Sequence, residues 1–317
     1  MTRHVIGSGS SYNFGIAKVL AILLVVSAHF FQESLPLLWI PVTIGLFVFA
    51  YSSAYFTTHK YGGVFHWVTF WRSKAGRLSI PFLLSQAFLL LLFVGLGKEG
   101  IWTWHTMIHW LGQSGWLNWF GIANTSPFGA GLWFFTLLLI FYLLYPLILK
   151  LNEIPLMAHI LVLFVLVITL ILDKTTPVGH ALWLTAFAFW FGVYAACYPV
   201  RGSAQSWLFV GIVSSLAMLA ANMIGQKSLN PVLLVVIAIA AVQWIEKADI
   251  PRTVVFSKLL LVGPVVLEIY LIHTYLFVES PLPPFAGYLV SMALILTAAS
   301  ILHQLAGKAE KSKFFLR

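Results

Sequence analysis

Residues 14–32 read FGIAKVLAILLVVSAHFFQ, a run that is apolar except for one lysine, one histidine and a few small or amide side chains. About 20 apolar residues are what a helix needs to cross a hydrocarbon layer about 30 Å thick. The run has no small-residue cleavage pattern and carries Lys18 inside it. It therefore reads as a first membrane helix kept in the mature chain, not as a signal peptide.

Working outward, nine further segments have the same character: 37–58, 79–97, 132–149, 157–172, 180–198, 205–223, 229–245, 259–278 and 284–306. Composition agrees. Of 317 residues 61% are hydrophobic and 9% charged, with a mean hydropathy of +0.95, whereas soluble domains carry about 25% charged residues. An ordinary water-soluble protein is excluded, because the polar residues could not cover so large an apolar set. The expected fold is all-α: a polytopic membrane protein of about ten transmembrane helices in one bundle, a single domain over 1–317 with no separate soluble domain.

A net charge of +9 raises the question of nucleic acid, which requires a clustered basic face. Here the charges sit between apolar runs, so no nucleic-acid partner is expected and membrane lipid is. Cys197 is the single cysteine and reads as a buried, inert thiol. With the N-terminus in the cytoplasm, inner segments take Arg3, Lys60, Arg72, Lys74, Arg77, Lys150, Arg201, Lys247, Arg252, Lys258 and the terminal group Lys308, Lys311, Lys313 and Arg317. Outer segments take Lys98, Lys174 and Lys227. By the positive-inside rule both termini are then cytoplasmic and the number of spans is even.

The long connection 98–131 falls on the outer side and holds Trp102, Trp104, Trp110, Trp116 and Trp119 with His105 and His109. The plain expectation is an aromatic segment at headgroup depth. The functional alternative is a lid or acceptor platform, since tryptophan faces stack on sugar rings.

Ionisable side chains within spans cost several kcal/mol, of order 2.5–3.5 at the helix centre, unless paired or turned to a cavity, so each is a candidate site. Lys18 and His29 are eleven positions apart, which returns them to nearly one helix face about 16 Å apart. Glu33 follows His29 by one turn, where a carboxylate can orient the imidazole and favour its protonated form, the usual construction of a general base. The plain alternative is that Lys18 and Glu33 snorkel to the two headgroup layers. Glu268 and His273, five apart, point in different directions. A buried glutamate needs a partner, for which Lys18 or an inner basic residue is expected. His180 and His303 lie at span ends and read as interfacial. The spacing offers no metal-ligand set.

The stretch FWRSKAGRLSIP, residues 70–81, opens the third span. Topology alone places cations here, but Arg72, Lys74 and Arg77 would also suit the phosphates of a nucleotide-like donor.

Together these pieces resemble the membrane acyltransferase-3 family, which acylates cell-surface sugars and other acceptors. Its first-helix hallmark is an Arg, ten residues and then a His in an aliphatic stretch; Lys18 and residues 21–30, AILLVVSAHF, are similar to it, with Lys for Arg. Residues 45–55, GLFVFAYSSAY, resemble its second-helix pattern, with Ala54 where Gly is usual. Residues 72–81 are similar to its basic third-helix entry, residues 132–135 (LWFF) and 141–146 (FYLLYP) to its Leu-Trp-Phe to Tyr-x-x-x-Pro helix, and residues 268–273 (EIYLIH) to its late Ile-Tyr-Leu-x-His signature. Lysine keeps the charge of arginine but not its planar fork. The chain stops soon after the last span, so the esterase-like domain of some members is expected to be absent.

The resemblance implies transfer of an acyl group, most often acetyl, from cytoplasmic acyl-CoA to a hydroxyl of an outer-face polysaccharide or glycolipid at a bacterial inner (plasma) membrane. It implies His29 as general base or acyl carrier, Glu33 as its orienter, and His273 or Tyr270 at the thioester carbonyl or the acceptor. Lys18, Arg72, Lys74 and Arg77 would hold the donor, and Glu268 and Trp133 would contribute to substrate binding, with no metal. The alternative from another class is a transporter or flippase using Lys18, His29, Glu268 and His273, against which the halves show no clear repeat and no paired Gly/Pro breaks. A third reading is a non-catalytic partner of a glycan pathway, indifferent to loss of His29.

Overall fold

A computed structural model describes residues 8–32, 34–63, 65–178, 180–278 and 283–311. Every regular element among them is helical. In chain order they are α1 (Ser8–Phe30), α2 (Trp39–Tyr61), α3 (Trp67–Gly95), the short α4 (Trp104–Trp110) and α5 (Ser114–Trp119), α6 (Trp133–Leu151), α7 (Pro155–Thr175), α8 (His180–Cys197), α9 (Ala204–Met223), α10 (Asn230–Lys247), the short α11 (Val254–Leu259) and α12 (Val266–Ile272), and α13 (Pro284–Lys311). Among the described residues nine helical stretches are long and apolar enough to span a membrane, and Ala181–Cys197 is a shorter apolar helix. The protein is thus an all-α polytopic membrane protein; nine of the ten predicted segments each overlap one α-helix, and the ninth, 259–278, overlaps a broken helical stretch.

Two boundaries differ from the sequence reading. The third helix begins at Trp67, twelve residues before the expected 79, so the basic stretch is the first part of α3 and not a loop leading into it. Pro81 lies inside this helix without ending it. At 29 residues α3 is about 43 Å long, more than a hydrocarbon layer requires, and its charged first turns extend past the apolar stretch. The ninth span is broken: α11 passes into a 3-10 turn at Leu260–Val265 containing Pro264, then α12, then a second 3-10 turn at His273–Tyr275.

The described residues pack as two compact units, one drawn from 8–25, 35–65 and 143–260, the other from 26–34, 66–142 and 261–311. In the first, α2 is buried on most of its circumference and packs on α8 and α10, while α9 pairs with α10. Gly192 on α8 permits the close α2–α8 approach: a Cβ there would lie 2.5 Å from the Tyr51 carbonyl oxygen and 2.9 Å from the Ala54 methyl. Small residues at such crossings are how membrane helices gain contact when lipid supplies no hydrophobic drive. The Asn13 amide donates to the Ile245 and Ala248 carbonyls at 2.8 and 2.7 Å, taking up groups that the end of α10 leaves without helix partners.

In the second unit α3, α12 and α13 pack together, Phe82 stacks on Phe135 with centroids 4.4 Å apart, and Leu89, Phe93, Ile101 and Phe128 form a buried cluster. The connection 98–131 is a folded part of this unit, not a slack loop.

Candidate active site

The second unit places His273 at the end of α12, fully buried, and His29 in the last turn of α1, exposed. Their rings meet edge to face with centroids 5.0 Å apart, and His273 Nε2 lies 3.3 Å from His29 Nδ1. The end of α12 decides how the protons are arranged. An α-helix leaves its last four carbonyls without intrahelical partners; Tyr270 is among them, and its carbonyl takes the His273 Nδ1 proton at 2.8 Å. A carbonyl only accepts, so Nδ1 of His273 carries hydrogen, and in the neutral ring Nε2 is the acceptor. His29 then donates from Nδ1, which leaves the lone pair on His29 Nε2. A backbone carbonyl, through one buried imidazole, thus sets the tautomer of an exposed one.

Around this dyad the hydroxyl of Tyr270 donates to the Gly131 carbonyl and accepts from the Phe135 amide at 3.3 Å. Its donor is committed to the backbone, which makes it a tie between α12 and the start of α6. Trp133 opens α6 half-buried, its ring edge to face with Phe134.

Glu268 is 1% exposed, and its partner is His303 on α13, with Oε1 2.9 Å from Nδ1. The expected partner, Lys18 or an inner cation, is replaced by a histidine that reads from sequence as merely interfacial. The other oxygen, Oε2, is buried without a hydrogen bond. His180 opens α8, and Glu33 lies outside the described residues.

The three cations of α3 do not share a surface. Lys74 is buried, its ammonium 4.2 Å from the centre of the Tyr142 ring and 5.8 Å from that of Phe70, a cation–π arrangement. Arg72 and Arg77 are exposed. In the first unit Lys18 is half-buried with its ammonium 5.5 Å from the centre of the Phe56 ring.

A carboxylate the sequence reading passed over, Glu246, lies one residue beyond the expected end of its span. It accepts from the hydroxyls of Tyr51 at 2.9 Å and Tyr55 at 3.3 Å, and the Gln243 amide donates to the Tyr51 hydroxyl at 3.0 Å. The two tyrosines of the 45–55 motif thus share one acid. Only the i, i+4 spacing of Tyr51 and Tyr55 hinted at it.

The histidines of the 98–131 connection are held differently. His105 Nδ1 meets Thr125 Oγ1 at 2.7 Å. His109 is buried, with Nε2 3.0 Å from Asn124 Oδ1 and Nδ1 2.8 Å from Ser114 Oγ. The Asn124 amide donates to the Phe128 carbonyl at 2.7 Å, which fixes Oδ1 as acceptor, Nε2 of His109 as donor and Nδ1 as acceptor. Burial pushes the His109 pKa below its ordinary value, as desolvation does to a cation.

No group of three or more His, Cys, Asp or Glu able to hold a metal occurs among the described residues. The family model described as an acyltransferase domain, acyltransferase 3, matches residues 11–304, nearly the whole chain. No curated protein and no solved structure matches.

Proposed function

Because the chain belongs to this acyltransferase family and is a membrane acyltransferase, we propose that it moves an acyl group, acetyl in the first instance, from cytoplasmic acyl-CoA to a hydroxyl of an outer-face polysaccharide or glycolipid. The observation that carries the reading is the His29–His273 dyad, in which a chain of hydrogen bonds from the backbone directs the His29 Nδ1 proton inward. In this scheme His29 Nε2 removes the acceptor hydroxyl proton as the oxygen attacks the thioester carbonyl. The imidazolium so formed is stabilised by its Nδ1 hydrogen bond to the neutral His273. As the C–S bond breaks, the proton passes from His29 to the departing thiolate, giving free CoA thiol and the ester. Arg72 and Arg77, exposed on the same unit, are suited to the donor's phosphates, whereas Lys74, beneath the Tyr142 ring, serves to fix α3. Tyr270 and Trp133 shape the approach, and Glu268 with His303 braces α12 against α13. Both termini lie in the cytoplasm, and the 98–131 segment faces the acceptor side.

The test is transfer of label from radiolabelled acetyl-CoA to surface glycolipid by the purified protein, native against His29→Ala. Label in glycolipid from the native chain alone supports the reading. Equal transfer by both removes His29 from the chemistry, and no transfer with no CoA binding removes the donor.

A further inference from the structure

A groove in the first unit plays no part in this scheme. The groove is open, about 700 Å³, and lies among α7, α8, α9 and α10, within the range of ligand sites. One wall is a ladder of rings from α8: Phe187 stacks on Phe191, Phe191 on Tyr194, and Tyr194 leans on Tyr198, with centroids 5.5 to 6.2 Å apart. The facing wall is Val162, Leu163 and Leu166 of α7.

Polarity changes along the groove's length. His159, near the start of α7, lies edge to face on Tyr194 and Tyr198 near the end of α8, so this is one end of the cavity. Arg201, exposed, and Trp207 also line the groove. The Trp207 indole nitrogen is buried without a hydrogen-bond partner. From Tyr198 to Phe187 the ladder runs about 16 Å along the helix axis, and everything beyond the polar end is hydrocarbon or aromatic ring. A cation and an unused N–H at one end of an apolar trench match an amphiphile with an anionic head and a chain. They match neither a soluble anion, which has no use for the trench, nor a neutral lipid, which has none for Arg201.

We infer that this groove holds one anionic phospholipid, its phosphate on Arg201 and the Trp207 N–H and an acyl chain laid along the Phe187–Tyr198 ladder. The guanidinium supplies a charge-assisted contact, the indole a second donor, and the ladder a flat wall an acyl chain covers without ordering polar groups.

The experiment is native mass spectrometry of the protein after exchange through micelles containing equal amounts of phosphatidylglycerol and phosphatidylcholine. The native chain is expected to retain one phosphatidylglycerol in preference to phosphatidylcholine. Arg201→Gln should lower that retention roughly tenfold, the scale of one charge-assisted contact, Trp207→Phe by less, and Lys174→Gln, a cation outside the groove, not at all. Leu166→Trp, which fills the trench while leaving Arg201 in place, should expel the lipid too. Folding of each variant is checked by its elution as a single species. Equal retention of both lipids by the native chain, or retention unchanged in both Arg201→Gln and Leu166→Trp, overturns the inference. So does displacement of the lipid by inorganic phosphate, or by acetyl-CoA, which would give the groove to the donor. No acyl transfer is measured, so a failure here leaves the catalytic scheme untouched, and the reverse holds.

Discussion

Two histidine sites stand in one unit and are built for opposite ends. His109 is buried, and both of its nitrogens meet side-chain partners, Ser114 and Asn124. His29 is exposed, and its Nδ1 meets His273, itself fixed by the backbone. A histidine saturated on both sides has no lone pair to offer a substrate. One whose Nδ1 proton is directed to a backbone-fixed acceptor carries its lone pair on Nε2, in a defined tautomer. Counting histidines in a sequence does not separate the two cases; counting the acceptors around each ring does.

The comparison breaks most sharply at the dyad. His29→Ala should lower acyl transfer by about 10²–10⁴-fold, the share general-base catalysis usually carries, with little change in thermal midpoint, whereas His109→Leu should leave turnover within about twofold of native. Similar losses from both in a CoA-thiol release assay would show that the contrast drawn here is not the relevant one. A finer cut is at His273. His273→Met removes the acceptor behind His29 and should cost roughly ten- to hundredfold, since a hydrogen bond to a group that becomes charged contributes about 1.5–3 kcal/mol. His273→Gln, which keeps an acceptor near the Nε2 position, should recover part of the loss and shift the acid limb of the pH–rate profile.

The His109 site answers to stability. His109→Leu strands the Ser114 hydroxyl, leaves Asn124 Oδ1 with only the Ser126 amide as donor, and should destabilise the second unit by about 1–3 kcal/mol in calorimetry or denaturant titration. It should also change the pH response. The folded pKa of His109 lies below its ordinary value of about 6.5, so below that pH the unfolded chain binds a proton the folded chain does not. His109's contribution is therefore intact above about pH 6.5 and is lost as the pH falls. The native thermal midpoint should drop more steeply below pH 6.5 than that of His109→Leu, and parallel curves would remove the assignment. The smallest effect is expected at Tyr270→Phe, which loses the tie to Gly131 and Phe135: a few-fold fall in turnover with no change in pH profile.

How much of this was legible in the sequence divides along physical lines. The ten helices follow from the requirement that a span be apolar over its length, which is local and one-dimensional. His29 and His273 stood out because ionisable groups in spans are few. Their partners did not stand out. His303 answers Glu268 across thirty-five residues, and Glu246 fell one position past a span boundary drawn on hydropathy. The basic stretch at 70–81 was read as one patch because the reading was linear. On a helix, position 72 points away from 74 and 77, which are i, i+3 neighbours, and Lys74 goes under an aromatic ring. Near neighbours in sequence were separated by helix geometry, while distant ones were joined by packing that no period of the sequence encodes.

The crossing of α2 and α8 has a consequence for which residues can be exchanged. Ala54 stands where a glycine is usual, and its methyl is accommodated because Gly192 opposite has none. The accommodation is one-sided. Moving the methyl across, with Gly at 54 and Ala at 192, would relieve the side-chain contact at 2.9 Å but leave the new Cβ 2.5 Å from the Tyr51 carbonyl, which no change at 54 can withdraw. Position 54, fully buried at the crossing, is therefore open to glycine or alanine, and position 192 is closed to any side chain. In any chain sharing this crossing, variation at the first site should run without a matching change at the second.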